Sequence, residues 1–264
     1  YRSTCQRIEQ RQGRVCGVQL QSGEFLPADR VIFNGDAAAL RQGLLGEDMR
    51  RAVPQDAPLR SLSAVTWSMH TPVQGVALDR HNVFFQSSYA SEFDDIFERQ
   101  RLPQKPTVYV CAQDRPADRD AGQAERIFCL VNAPACGDGN GITEEALEQC
   151  QTHTFQHLQQ LGLPLQPTPS NSIRTTPQDF HRRFPASGGA LYGQATHGWT
   201  SIFSRPGSTT PLQGLFLAGG SVHPGPGVPM AALSGQRAAE AVMASLALTS
   251  TFPRGATFGG MSTP

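Results

Sequence analysis

Residues 214–242 carry the strongest indication of ligand chemistry in the chain. The apolar run 215–218 predicts a buried strand, and the glycine- and proline-rich segment 219–227 follows it directly. A helix is then predicted to begin near Pro229, because a proline at the first helical position loses no hydrogen bond. Glycines allow close approach of a flat ligand, and the free N–H groups of a helix start favour negative charge. The stretch therefore predicts a site for an anionic or electron-rich group.

The predicted helix carries small residues along one face. They are Ala231, Gly235, Ala238 and Val242. Small residues at helical spacing let a helix lie close to a sheet, which fixes the direction of its N-terminus. A strand, a glycine loop and an alanine-rich helix also occur in many α/β proteins without a ligand at that corner, so the pattern alone leaves a purely structural role open.

Three weaker patterns point to other chemistry and are each incomplete. His153 and His157 lie four residues apart on a predicted helix, but no glutamate follows the first histidine and no third ligand is indicated. Segment 138–142 resembles the start of a calcium loop, yet isoleucine stands where an oxygen ligand is needed. Ser221 and His223 are close in sequence without the Gly-x-Ser-x-Gly motif of a nucleophile elbow. We therefore expect neither a metal site nor a serine hydrolase.

Composition and charge narrow the class of protein. The 264 residues include 22 Lys and Arg against 22 Asp and Glu, so the chain lacks the basic balance of a nucleic-acid-binding protein. The 26 glycines and 20 prolines with 39% hydrophobic residues indicate a globular protein rich in loops. No apolar run of about 18 residues predicts a spanning helix. Six scattered cysteines favour reduced thiols and a cytoplasmic location.

The remaining elements must position the 214–242 stretch. A hairpin is predicted from strands 14–20 and 24–33, the second ending deep in a core, and Asp36 is the predicted N-cap of a short helix. A helix over 143–161, capped by Thr143, should cover one face of an antiparallel or mixed sheet. The strands predicted for that sheet are 65–69, 73–78, 83–86, 107–112 and 127–132.

Several motifs resemble the C-terminal part of the carotenoid desaturases of the phytoene desaturase family. Within it the chain is most similar to bacterial 1-hydroxycarotenoid 3,4-desaturases, also called methoxyneurosporene dehydrogenases. The resemblance covers most of residues 1–246. It is carried by residues 217–232, 187–193, 197–199 and 204–207, and by the hairpin segments 14–18 and 28–34.

The resemblance implies an α/β fold with an α+β substrate domain, namely the C-terminal half of a two-domain FAD-dependent amine-oxidase-like fold. The expected divisions are 1–40 in the FAD-binding domain, 41–195 in the substrate-binding domain, 196–248 again in the FAD-binding domain, and a mobile tail at 249–264. The family's Gly-x-Gly-x-x-Gly dinucleotide motif does not occur in this chain. The Rossmann-type domain is therefore expected to be incomplete, with its missing N-terminal half as a partner, and the isolated fragment to be inactive.

The resemblance also implies roles for particular residues. Gly219, Gly220 and Ser221 would approach the diphosphate and ribityl part of FAD, and Gly227, Val228, Pro229, Met230 and Ala231 would lie near the flavin ring. The helix N-terminus would then stabilise negative charge on the reduced flavin. Tyr192, Trp199 and Phe203 would contact a long polyene.

The expected function is FAD-dependent desaturation of an acyclic 1-hydroxy or 1-methoxy carotenoid in carotenoid biosynthesis. No residue is assigned as a general base, so the catalytic residues stay unknown. Such a substrate partitions into lipid, which favours peripheral contact with the inner membrane. The alternatives are phytoene desaturation, carotenoid isomerisation or amine oxidation on the same flavin fold, and a non-catalytic lipid- or carotenoid-binding fragment.

Overall fold

The computed structural model describes residues 2–55, 59–86, 89–115, 123–139, 142–195 and 205–250. The strands are β1 Cys5–Arg11, β2 Arg14–Leu20, β3 Phe25–Pro27, β4 Val31–Phe33, β5 Ser63–Pro72, β6 His81–Phe84, β7 Val108–Ala112, β8 Ala124–Ala133, β9 Ser172–Thr175 and β10 Leu215–Leu217. The α-helices are α1 Ala37–Arg41, α2 Tyr89–Phe93, α3 Glu144–Gln160, α4 Pro177–Arg183 and α5 Val228–Ser250. A 3₁₀ segment, Glu47–Ala52, and a π segment, Asp94–Glu98, complete the helical elements of this part of the chain. The predicted mixed α/β class is confirmed.

The chain divides into two compact units. The first unit comprises residues 1–55 and 202–264, and the second unit comprises residues 56–201. Assignment of these units to FAD and to substrate stays a prediction, and residues 251–264 of the expected mobile tail lie outside the described residues. Within the described residues, none of the helices is both long and apolar enough to cross a bilayer.

The first unit contains two small sheets where the sequence predicts one hairpin. Strands β1, β2 and β3 form an antiparallel sheet, whereas β4 pairs in parallel with β10. The predicted continuous strand 24–33 is therefore wrong: the Ala28 N–H still donates to the Cys16 carbonyl at 3.0 Å, but the chain then leaves this sheet and the Val31 N–H donates to the Gly214 carbonyl at 2.8 Å. Burial of its end is shallower than predicted: Val31 and Phe33 pack partly buried against the core of the first unit, whereas Ile32 stays 48% exposed.

The short helix of the first unit forms as predicted. Asp36 caps α1 by accepting a hydrogen bond from the Ala38 N–H at 2.8 Å. Leu40 on this helix is fully buried in a core that also contains Leu215 and Leu217 of β10. The helix is thus anchored beside the strand that leads into the glycine loop.

The second unit is built on one antiparallel sheet with strand order β6-β7-β8-β5-β9. Strands predicted at 65–69, 83–86, 107–112 and 127–132 correspond to β5, β6, β7 and β8. The predicted strand 73–78 is wrong, because Gly75 adopts φ +92° and the Val76 N–H donates to the Gly162 carbonyl at 3.0 Å. This segment is therefore a turn held against the end of α3.

The sequence patterns did not predict α2, the π segment, β9 or α4 of the second unit. Strand β9 is only four residues long and extends the sheet edge beside β5. Helix α4 has a complete capping box, in which Thr176 and Asp179 bond each other's backbone N–H groups, and Pro177 occupies the first turn. The sequence carries this start signal, but the polar composition of the segment obscured it.

Helix α3 covers one face of the sheet, as predicted. Thr143 accepts a hydrogen bond from the Ala146 N–H at 3.2 Å, and the helix ends at Gln160. Phe155 meets the fully buried Trp67 edge-on, with ring centroids 5.2 Å apart. The indole N–H of Trp67 donates to Gln151 Oε1 at 2.9 Å, so the one polar atom of that ring is satisfied.

We predict that Leu158→Ala lowers the free energy of unfolding by about 2 to 5 kcal/mol, because Leu158 is fully buried in the core between α3 and the sheet. Urea unfolding of the 264-residue chain, followed by far-ultraviolet circular dichroism, measures the change. Gln159→Ala is the matched control on the exposed side of the same helix. Equal midpoints for the two variants would contradict the packing described here.

Candidate functional site

The glycine loop begins where two parallel strands end side by side. β4 and β10 pair in register from Val31 with Leu215 to Phe33 with Leu217, and the Ala218 N–H donates to the Phe33 carbonyl at 3.1 Å. Segments leaving the carboxyl ends of adjacent parallel strands emerge at one edge, which is where α/β sheets bind ligands. The segments that meet here are 34–36 and 219–227.

Gly219 is the point of closest approach between these segments. A Cβ built on Gly219 would lie 2.8 Å from Asn34 Oδ1, and the residue adopts φ +118°. The backbone conformation therefore requires glycine here, whereas the exposed Asn34 side chain could rotate away from a Cβ. Gly219 turns the chain away from the end of β10.

A buried serine couples this turn to the helix. Ser234 is fully buried on α5, accepts a hydrogen bond from the Gly219 N–H at 2.8 Å and donates to the Ala231 carbonyl at 2.7 Å. The helix starts at Val228, one residue before the predicted Pro229, which confirms that prediction. The sequence pattern did not predict this role of Ser234, although Ser234 lies three residues after Ala231 and four before the fully buried Ala238, on the same helix face. The hydroxyl holds the first turns of α5 at a fixed distance from the loop.

A buried arginine supports the loop from within the first unit. Arg205 donates from Nη1 to the Gly220 carbonyl at 3.1 Å. Its side chain also packs beside Gly225, where an added Cβ would lie 3.6 Å from Arg205 Nε. Burial lowers the pKa of Arg205 from its ordinary value, and the nearby negative charge of Asp36 acts in the opposite direction. Segment 204–207 is one of the motifs that carry the family resemblance, but its sequence pattern predicts no role at the site for Arg205.

Ser221 ties the loop to the neighbouring helix. Its Oγ accepts a hydrogen bond from the Ala37 N–H at 3.1 Å, in the first turn of α1. The hydroxyl can still donate a hydrogen bond outward, since only its acceptor side is occupied by this contact. Its expected approach to a diphosphate stays a prediction.

The start of α5 is open. Val228 is 86% exposed and Met230 is 42% exposed, and the first backbone bond of the helix runs from the Ala231 N–H to the Gly227 carbonyl at 2.8 Å. Among the described residues, the backbone N–H groups of Val228 and Met230 have no hydrogen-bond partner. Unpaired N–H groups at the start of a 23-residue helix provide a positive partial charge.

Two loop glycines stand beside empty space. Among the described residues, a Cβ on Gly220 would meet only Pro226 Cα, at 3.6 Å, and a Cβ on Gly227 would meet nothing within 4 Å, although Gly227 has φ +101°. Packing within the chain therefore does not require glycine at position 220. Together with the open helix start, this space fits the flat, anionic flavin nucleotide that the family resemblance implies.

The second glycine motif, residues 187–193, has a structural explanation in the second unit. A Cβ on Gly188 would collide with the guanidinium of Arg60, which also forms a bidentate ion pair with Asp138 at 2.6 and 2.8 Å. The Gly137 N–H donates to the Gly188 carbonyl at 2.7 Å. These glycines therefore serve close packing of the loop against the end of β8.

The residues predicted to contact substrate are only partly described. Tyr192 is 47% exposed, and its backbone N–H donates to Ser61 Oγ at 3.0 Å. Trp199 and Phe203 lie outside the described residues. Contact of these three side chains with a polyene stays a prediction.

Residues 1–243 of the chain match the family model described as flavin containing amine oxidoreductase. The chain is 52% identical over 265 residues to hydroxyneurosporene desaturase of Rubrivivax gelatinosus, covering 100% of this chain and 50% of that protein. It is 44% identical over 248 residues to hydroxyneurosporene desaturase of Cereibacter sphaeroides, covering 94% of this chain and 49% of that protein. The chain thus spans about half the length of the curated relatives it matches. Among solved structures, the chain is similar to an oxidoreductase from Methanosarcina mazei, with a TM-score of 0.46 and 14% identity. The similarity covers 92% of this chain and 49% of that structure.

We predict opposite effects for two glycine-to-alanine changes in the first unit. Gly219→Ala lowers the free energy of unfolding by about 1 to 3 kcal/mol, because Gly219 adopts φ +118°, where a residue with a Cβ is strained. Gly235→Ala raises it by about 0.5 to 1 kcal/mol, because Gly235 lies inside α5 with nothing within 4 Å of its Cβ position. Urea unfolding measures both changes, and a neutral Gly219→Ala would show that the turn is not constrained as described.

Proposed function

Since the chain belongs to the family of flavin-containing amine oxidoreductases, we propose that it forms part of an FAD-dependent carotenoid desaturase. The substrate class is an acyclic carotenoid with a 1-hydroxy or 1-methoxy end group, and the reaction introduces one C=C bond. The observation that carries the proposal is the open start of α5 beside Gly220. The similarity to two hydroxyneurosporene desaturases supports the choice of substrate.

The residues that would hold FAD lie on one continuous segment. Gly219, Gly220 and Ser221 would face the diphosphate and ribityl chain, and residues 227–231 would lie near the isoalloxazine ring. The unpaired N–H groups of the first helical turn and the space beside Gly220 support this arrangement. When bound, FAD supplies the acceptor for the two electrons that leave an allylic C–H bond as hydride, while a proton leaves the neighbouring carbon.

The chain contributes alignment, charge and exclusion of water. Ser234 and Arg205 hold the loop and the start of α5 in one geometry, which keeps the reacting carbon in line without reorganisation. The dipole of α5 favours the negative charge that the reaction places near the helix start. The exposed apolar side chains of Val228 and Met230 would cover the reacting carbon against water.

The two compact units support a division of labour. We assign FAD binding to the first unit, which contains the glycine loop, and substrate binding to the second unit, which contains Tyr192. The other two expected polyene contacts, Trp199 and Phe203, lie in sequence on either side of the boundary between the units. This chain matches only half of the Rubrivivax gelatinosus relative. The main FAD anchor would come from a segment equivalent to the other half. Because the substrate partitions into lipid, the enzyme would contact the inner membrane peripherally.

A chimera tests the proposal. In it, this chain is joined to the part of the Rubrivivax gelatinosus relative that it does not match, and the purified protein is incubated with hydroxyneurosporene, the same polyene without its hydroxyl, and phytoene. We predict a product from hydroxyneurosporene with one more conjugated double bond, visible as a red shift in its absorption after chromatography.

The separate outcomes distinguish the alternatives. Desaturation of phytoene alone would replace the proposed substrate, and retention of carotenoid without flavin or product would favour a binding protein. The 264-residue chain by itself is the control, and we predict that it neither retains FAD nor forms product.

A further inference from the structure

The tip of the first hairpin places two arginines side by side. Strands β1 and β2 are joined by the two-residue turn Gln12-Gly13, in which the residues adopt φ of +52° and +76°. Arg11 and Arg14 form the last cross-strand pair before this turn. Directly opposed residues of an antiparallel pair project from the same face, about 5 Å apart at Cβ. The register of the hairpin therefore brings two guanidinium groups to one surface.

The chain does not neutralise this pair of positive charges. Among the described residues, the side chains of Arg11 and Arg14 have neither an ion pair nor a hydrogen bond. Like charges directly opposite each other on a sheet destabilise the strand pair. A bound anion that contacts both arginines would remove this repulsion.

A cavity of about 410 Å³ opens beside the two arginines. The other residues that line it are Val15, Cys16, Pro27, Ala28 and Asp29. The Val15 N–H donates to the Gln213 carbonyl at 2.9 Å, which places the cavity at the amino end of β10. Because the glycine loop leaves the carboxyl end of the same strand, the cavity is separate from the candidate flavin site.

The charges that line the cavity favour a phosphate group. Two guanidinium groups face one carboxylate, that of Asp29, which forms no ion pair with either arginine among the described residues. The lining therefore stays cationic overall. Guanidinium groups bind phosphate oxygens through paired N–H donors, and one phosphate has enough oxygens to engage two arginines. The volume is within the range of small-molecule sites, so the phosphate can carry an organic substituent.

We propose that Arg11 and Arg14 bind the phosphate group of a ligand that enters this cavity. The ligand is either a soluble phosphate ester or the headgroup of an anionic phospholipid. Both share the chemistry that the arginines recognise, and they differ in whether vesicles bind the chain. The inference does not depend on the proposed desaturase function.

Charge-changing variants test the site through the sign of their effects. Isothermal titration calorimetry of the 264-residue chain with inorganic phosphate, at an ionic strength held constant with sodium chloride, gives each Kd. Arg11→Gln and Arg14→Gln should each raise the Kd about tenfold, the size expected for one charge-assisted hydrogen bond. Asp29→Asn should lower it about threefold, because this change removes a negative charge near the anion. Loss of folding cannot tighten binding, so the Asp29→Asn result separates ligand binding from a structural effect.

Arg51→Gln is the matched control for the arginine variants. Arg51 is an exposed arginine of the same unit without an ion pair or hydrogen bond among the described residues, so its removal changes only the net charge. Its Kd for phosphate should equal that of the unchanged chain. Alkylation by iodoacetamide then locates the anion: phosphate should slow the reaction of Cys16, which lines the cavity, and leave the half-buried Cys5 unchanged.

Flotation with phosphatidylglycerol vesicles identifies the source of the phosphate. Vesicle binding that Arg51→Gln keeps and the double variant Arg11→Gln/Arg14→Gln loses would assign a lipid headgroup to the cavity. Phosphate binding without flotation would assign a soluble phosphate ester. The inference is overturned if neither phosphate nor vesicles bind the unchanged chain, or if the double variant binds them as tightly.

Discussion

The turn at Gly219, where β4 and β10 end side by side, is the constraint on which the candidate site depends. Gly219 adopts φ +118°, a backbone conformation that residues with a Cβ rarely adopt. The buried hydroxyl of Ser234 then bonds the Gly219 N–H and the first turn of α5. Because the Ser234 side chain is fully buried and bonds both segments, it fixes the helix start relative to the strand ends, and the unpaired N–H groups of the helix face one region of space.

The two units use glycine differently. In the first unit, backbone conformation requires glycine at 219, whereas packing among the described residues does not require it at 220, so the space beside Gly220 is available to a ligand. In the second unit, a Cβ at Gly188 would collide with the Arg60 guanidinium and the Ala135 carbonyl, so close packing within the chain explains that glycine. The glycines of the two motifs therefore differ in what they imply: an open space at 220 and a filled one at 188.

Sequence patterns predicted the elements whose signals are local. Helix α3, the Asp36 cap and the junction of β10 with α5 follow from periodicity, capping chemistry and the placement of proline. The strand predicted at 73–78 failed because contact with residue 162, which is distant in sequence, turns the chain at Gly75. Arg205 and Ser234 could not be assigned roles for the same reason, since their importance lies in the backbone groups that folding brings to them.

The most direct measurement of the central claim is the flavin content of the chimera with Gly220→Val, read as the visible flavin absorbance per polypeptide. Gly207→Val is its control, because Gly207 lies in the same unit with nothing within 4 Å of its Cβ position. The account predicts that Gly220→Val loses most of its flavin while its urea midpoint stays near that of the control, which keeps its flavin. Full flavin content in Gly220→Val would show that the space beside the start of α5 is not where the cofactor lies.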